Sequence, residues 1–208
     1  MSSARRSRCD HRTVHGVIDH IELRAERPDG DATQVLFGEY RALIQDRLGL
    51  QLQPTEPIPG RGTAFGGDSG AWLVVYDSGR PIGCGGLRTL EPGVAEIQRM
   101  FVSQRCRRNG HGRRLLRELE RIAVERGHDR VRALTTEVLS EARKLYAAEG
   151  YRVVQRIARK RAPVEIWLEK DVPDPRARTT RRRSDPAAAT DAARRAGASG
   201  SSPPRKTA

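Results

Sequence analysis

The stretch from Val94 to Arg126 constrains this chain more than any other. A strand pattern, Val94–Val102, runs into a turn carrying Gly110 and Gly112 and straight on into an amphipathic helix. Leu115, Leu116, Leu119, Ile122 and Ala123 make the buried stripe of that helix, and Gly127 ends it. A second strand pattern, Val131–Thr136, follows at once. This strand–helix–strand unit must be fitted to the rest of the chain, which reads as hairpins.

The hairpins lie on both sides. Ala71–Tyr76 and Pro81–Leu90 flank the turn Asp77-Ser78-Gly79-Arg80, and Pro92-Gly93 leads into Val94–Val102. Upstream, a strand is expected over Val17–Arg24. A helix is expected from Asp31 or Thr33, as caps, to Leu48, with Val35, Leu36, Tyr40, Leu43 and Ile44 in its stripe. Residues 50–70 read as a long loop. Downstream, Ser140 is placed to cap a helix through Glu149, and Tyr151–Arg156 and Val164–Leu168 are closing strands. Antiparallel runs joined to strand–helix–strand units predict an α/β fold: a mixed, mostly antiparallel central sheet of about seven strands with flanking helices.

Three domain segments are expected: a disordered basic lead (1–15), one folded domain (16–171) and a disordered Arg/Ala/Pro-rich tail (172–208). The formal net charge of +13 is shared unevenly, since residues 173–208 carry nine positive and three negative side chains. Three cysteines without C-x-x-C spacing argue against a disulfide scaffold and a zinc module. No apolar run reaches the roughly 18 residues of a membrane span, and no apolar stretch follows Arg5, Arg6 and Arg8 as in a signal peptide. A soluble cytoplasmic protein is expected. With aromatic residues at 4%, no stacking platform interleaves with the basic residues, which argues against nucleic acid as the partner.

The turn has its own chemistry. Two glycines at i and i+2 allow a tight bend, and the first-turn N–H groups of the helix behind it lack internal partners. They carry about half a positive charge from the helix dipole, and such a site binds phosphate. Five arginines and no acid lie from Arg105 to Arg114. The pattern is neither a P-loop, since no Lys follows Gly112, nor a Rossmann fingerprint, since Leu115 stands where its third Gly would be. A plain Gly-rich turn with exposed arginines is the alternative.

Arg107-x-x-Gly110-x-Gly112, the preceding Ala95–Val102 and the later Ala142-x-x-Leu145-Tyr146-x-x-x-Gly150-Tyr151 together resemble the GCN5-related N-acetyltransferase (GNAT) family. The first matches its [QR]-x-x-G-x-[GA] acetyl-CoA signature, and the last its A-x-x-L-Y-x-x-x-G-[FY] element. Arg108 departs from the Gly that many members carry. The resemblance implies the acyl-CoA N-acyltransferase fold, splayed between the fourth and fifth strands with the pantetheine arm in the gap. It also implies acetyl transfer from acetyl-CoA to an amine, by direct attack in a ternary complex and without a metal.

Carried over residue by residue, the resemblance makes Met100, Phe101 and Val102 the segment facing the thioester and pantetheine. Met100 N–H becomes an oxyanion donor, a role worth on the order of 3 kcal/mol. It makes Arg107, Arg108, Asn109, Gly110, His111, Gly112 and Arg113 the diphosphate turn. Alternation places Glu96, Gln98, Met100 and Val102 on one face. Glu96 is the candidate base, with pairing to Arg88 or Arg99 as the structural alternative; Glu137 is a second candidate. Tyr146 is the candidate acid for the leaving thiolate, with core packing as its alternative.

His111 is expected to be exposed rather than catalytic, Cys106 a bystander, and Cys84, Trp72 and Trp167 packed. Arg61, Asp68 and Glu56 are candidates for the acceptor side. A small-molecule amine is favoured over a protein acceptor, and a monomer or homodimer is expected. The competing reading is a non-catalytic CoA-binding sensor.

Overall fold

The computed structural model describes residues 20–48, 65, 70–160 and 162–172. The expected lead, most of the 50–70 loop with Glu56, Arg61 and Asp68, and the tail from 173 lie outside these residues. The described elements are β1 (Ile21–Ala25), α1 (Asp31–Leu48), β2 (Gly70–Asp77), β3 (Arg80–Glu91), β4 (Val94–Val102), α2 (His111–Glu125), β5 (Arg130–Thr136), α3 (Ser140–Ala148), β6 (Arg152–Arg159) and β7 (Ala162–Asp171). A 3-10 turn, Gln104–Cys106, links β4 to the segment before α2.

The strands form one seven-stranded sheet in the order β1-β2-β3-β4-β5-β7-β6. Only β4 and β5 run parallel; every other neighbouring pair is antiparallel. The mixed sheet expected from the element order is therefore the one observed. β6 and β7 run longer than expected, with Arg159 opposite Ala162 across their hairpin. β6 is exposed along most of its length, so alternation gave little signal of where it ends.

Both faces are covered. Leu73 and Val75 of β2 point into one core cluster with Leu115, Leu116 and Leu119 of α2, while Trp72, Val74 and Tyr76 point into another with Leu36, Phe37 and Leu43 of α1. The near-continuous apolar run of β2 follows from this double burial. Cys84 and Trp72 are buried as expected, and burial pushes the Cys84 thiol up to about 12. Val172 also packs in the core and donates to the Asp129 carbonyl at 2.7 Å, one residue past the expected domain boundary.

Thr33 and Ser140 do not cap their helices. Thr33 is fully buried and its hydroxyl accepts from the Trp72 indole at 2.9 Å, because a buried indole N–H needs an acceptor. Ser140 is the first residue of α3, behind Leu139, and its hydroxyl meets the Glu141 carboxylate at 3.3 Å. Phe65, in the long loop, packs edge-on to Trp72 at 5.3 Å and lies over Gly86, where a Cβ would come within 2.6 Å of both rings.

Candidate active site

β4 changes character halfway along. From Val94 to Ile97 it pairs with β3 on one side and with β5 on the other, ending at Ile97 opposite Ala133. From Gln98 to Val102 no β5 pairing is made, while β5 continues to Thr136 against β7. The two parallel strands thus part, and a wedge opens between them.

The parting coincides with a bulge. Opposite β3, the register jumps from Gly86↔Gln98 to Cys84↔Phe101, and Arg99 adopts φ 56°. An extra residue in one strand shifts the alternation by one. The expected single face is therefore corrected. Ala95 and Ile97 before the bulge, and Met100 and Val102 after it, point to the α2 side, whereas Phe101 points to the α1 side. Glu96 and Gln98, alternating with Ala95 and Ile97, lie on the face opposite Met100 and Val102.

Glu96 is almost wholly buried, and its Oε2 takes both Arg88 Nε at 2.8 Å and the Arg88 terminal nitrogen at 2.6 Å. The pairing alternative weighed for Glu96 is thus present in the fold. Glu137 lies just beyond β5; its Oε1 accepts the Val164 N–H at 3.3 Å, tying it to the start of β7.

The turn after β4 is built by short-range bonds. Ser103 N–H donates to Ile82 at 2.8 Å, Cys106 N–H donates to Ser103 at 2.9 Å, and Arg107 is extended. Arg108 has φ 69° and Gly110 has φ 82°. Left-handed backbone costs a side-chain-bearing residue roughly 1–2 kcal/mol, so Gly110 suits its position and Arg108 carries strain. Gly112 is not left-handed: it sits in the first turn of α2, where a Cβ would lie 3.4 Å from Leu145 and 3.7 Å from Val102. It brings the turn, α3 and the end of β4 together.

The helix begins with Arg114 N–H on the Gly110 carbonyl at 3.0 Å, and no side chain of the Gly110 cap serves the first-turn donors. The amides of Gly112 and Arg113 belong to that turn. Asn109 is exposed at the bend. Arg108 and Arg114 are exposed and make no ion pair among the described residues. His111 corrects its expectation: at 6% exposure it is buried, because it opens α2 facing inward.

Arg107 bridges the open end of the wedge. Its Nε donates to the Val102 carbonyl at 3.0 Å, and its guanidinium lies 5.9 Å from the Phe101 ring and 3.7 Å from Glu141. Glu141 is gripped by both terminal nitrogens of Arg47, which also donates to the Val138 carbonyl. The Arg47 hydrogen bonds hold the Glu141 carboxyl down to about 2, and burial lowers Arg107. Ser103 Oγ donates to Glu39 of α1 at 2.5 Å. Sequence reading missed Glu39, Arg47 and Glu141, whose partners are distant in the chain.

Tyr146 is buried on α3, edge-on to Tyr151 at 5.1 Å. Burial raises its hydroxyl above the usual tyrosine range, with the Tyr40 and Glu120 charges adding to the effect. Tyr40 stands edge-on to Phe101 at 5.7 Å, and burial raises it too. At neutral pH both hydroxyls keep their protons. Among the described residues no cluster of His, Cys, Asp and Glu could hold a metal ion, and no helix is long and apolar enough to cross a membrane.

Comparison with known proteins adds a family and a fold. The model of the acetyltransferase (GNAT) family matches residues 39–151. No curated protein sequence matches. Three solved structures share the fold. A Klebsiella pneumoniae protein assigned as an acyl-CoA N-acyltransferase is 24% identical, with 74% of this chain and 98% of that chain covered and a TM-score of 0.58. An acetyltransferase of Streptococcus agalactiae is 16% identical, with 74% and 99% covered and a TM-score of 0.61. A GNAT-family acetyltransferase of Staphylococcus aureus is 14% identical, with 73% and 99% covered and a TM-score of 0.60.

Proposed function

The chain belongs to the acetyltransferase (GNAT) family, and from that premise we propose that it moves an acetyl group from acetyl-CoA to the amine of a small molecule, in one ternary complex. The observation that carries this reading is the wedge between β4 and β5, opening directly beside the cap-free N-terminus of α2. An extended, amide-bearing arm that ends in a diphosphate fits that pair of features. The carrier supplies an activated acyl group; the chain supplies positions and protons.

The first-turn amides of α2, with Arg108 and Arg113, hold the diphosphate. Met100 and Val102 present backbone groups to the wedge, and the Val102 carbonyl already accepts from Arg107 at 3.0 Å, so it faces a donor there. The Met100 N–H is the donor toward the thioester carbonyl oxygen. Phe101 anchors this segment in the α1-side core. Tyr146, held protonated by burial, delivers a proton to the departing thiolate. The acceptor ammonium must first lose a proton. Glu96 takes it through a water at its second carboxylate oxygen, since Oε2 is committed to Arg88. The folded domain ends at Val172, and the protein works in the cytoplasm as a monomer or homodimer.

A second reading, CoA binding without transfer, has one observation in its favour: Glu96 is buried and tied to Arg88. One assay separates the two. Thiol release from acetyl-CoA is followed over a panel of small amines. Transfer requires amine-dependent release, slowed about 100-fold or more in Tyr146→Phe with carrier affinity unchanged. Binding without release on any amine supports the sensor. In the same assay, Glu96→Gln is expected to slow amine-dependent release about 100-fold and Glu137→Gln to leave it within a few-fold of wild type; the reverse result moves the base to Glu137.

A further inference from the structure

The wedge between β4 and β5 opens on two sides of the sheet, and the proposed carrier uses one of them. Met100, Val102 and Tyr146 all pack on the α2 side, beside the bend. A second substrate must then reach the thioester from the other side. Glu96, the proposed base, stands on that side as well, since it alternates with Ala95 and Ile97 of the α2-side core.

A row of charges crosses the sheet on this face. Arg88 meets Glu96 at 2.6 Å, and Glu96 lies beside Arg132 in the β4–β5 register. Arg132 meets Glu169 at 2.8 Å and Glu91 at 3.2 Å, and Arg152 meets Glu169 at 3.3 Å. Each charge in the row has an opposite partner. Toward the open end of the wedge the surface turns apolar. Leu134 follows Ala133, the last β5 residue paired to β4, and stands opposite Trp167 of β7. Ala133, Ile166 and Leu168 fill the α2-side core, so Leu134 and Trp167 point the other way. Leu134 is 41% exposed and Trp167 is only half-buried, unlike the enclosed Trp72. Ile157 of β6 stands half-buried on the same face. Among the described residues, the α1-side cluster takes in β2, β3 and Phe101 of β4, and neither Leu134 nor Trp167 joins it.

A large apolar pair left open at the edge of a reaction cleft marks a ligand surface. Resting on the reading of acetyl transfer, we propose that Leu134 and Trp167 seat the body of the acceptor, and that this acceptor is a primary amine carried on an aryl-alkyl group. The amine reaches toward the wedge and Glu96 while the ring lies on the indole. Trp167 offers an aromatic ring a stacking partner that a small polar amine cannot use. An acceptor bearing a further charge meets a row whose charges are already matched. Trp167 and Leu134 therefore select the acceptor by touching it away from the reacting atoms.

The test compares 2-phenylethylamine with ethanolamine on the full chain, following thiol release from acetyl-CoA. The wild type is expected to favour 2-phenylethylamine by about tenfold or more in kcat/KM, the scale of one buried and stacked ring. Trp167→Ala should bring that ratio toward one, chiefly through KM, and Trp167→Phe should keep most of it. Fluorescence supplies a readout apart from turnover. The chain holds two tryptophans, and with Trp72 enclosed, acrylamide quenching reports on Trp167. With CoA bound, 2-phenylethylamine should protect Trp167 from the quencher and ethanolamine should not. A ratio near one in the wild type, a ratio unmoved by Trp167→Ala, or quenching that 2-phenylethylamine leaves as it was overturns the proposal while acetyl transfer stands. Protection of Trp167 before any amine is added gives the face to the chain itself or to a second copy, and overturns it too. If no amine releases thiol, the transfer reading falls and this proposal with it.

Discussion

The two halves of β4 show what a sheet does when it is complete and what it does when it is not. Val94–Ile97 is paired on both edges, wholly buried, and closed by the Glu96–Arg88 bridge. Gln98–Val102 carries a bulge, is paired only to β3, and is mostly half-exposed. A finished ladder uses its amides and carbonyls internally and stabilises the fold. A parted ladder leaves them for a ligand. Of the residues proposed to act on the carrier, Met100, Val102, Arg107 and the α2 N-terminus sit at the parted end, whereas Glu96 stands in the closed half and Tyr146 comes from α3.

The contrast can be broken from either side. The largest effect is expected in the closed half: Arg88→Ala leaves the Glu96 carboxylate buried without its partner and should cost about 3 kcal/mol or more by chemical denaturation. Ile97→Ala, which empties a fully buried site, should cost about 2–5 kcal/mol while carrier affinity stays within threefold of wild type. A large loss of affinity in Ile97→Ala would mean that the two halves are not separable.

At the parted end the order reverses, with binding lost and stability kept. Gly110→Asp puts a negative charge at the mouth of α2 and should weaken CoA binding about 100-fold, with a stability loss near 1 kcal/mol for the left-handed position. Unchanged binding would remove the bend from the site. Arg107→Ala frees the Val102 carbonyl and should change CoA affinity by no more than about fivefold, since a neutral acceptor bond is worth about 1 kcal/mol.

The smallest effect concerns the strap across the wedge. Arg47 holds Glu141 at about 2 when folded, against an ordinary value of 4.5. A lowered folded value means that the pair stabilises the protein fully above pH 4.5 and loses that contribution as pH falls toward 2. Glu141 is half-exposed, so solvent screening limits the gain to less than about 1 kcal/mol. Glu141→Gln should flatten the acid limb of the stability curve by that amount; an unaltered limb assigns the strap no energetic role.

Much of this arrangement was legible in the residues. The strand–turn–helix junction, the α2 stripe and the hairpin of β2 and β3 follow from periodicity and glycine placement, which are local. The Glu96–Arg88 pair was open to reading as well, because a hairpin sets Arg88 opposite Glu96. The bulge was not: nothing in an arginine announces φ 56°, and the slip it causes moved Glu96 and Gln98 off the face of Met100 and Val102. The inward turn of His111 and the loss of the Thr33 cap to Trp72 were hidden for the same kind of reason.

What the sequence alone determined is therefore the set of parts: which stretches are strands or helices, which bend suits phosphate, and which family they resemble. Periodicity, turn chemistry and short motifs act within a few residues, so they survive being read in one dimension. Only the tertiary structure decided where β4 and β5 part, which face each side chain of β4 takes, and that Arg47 closes on Glu141 across 94 residues of chain. Those outcomes depend on register and packing between distant segments, whose energies no single stretch contains.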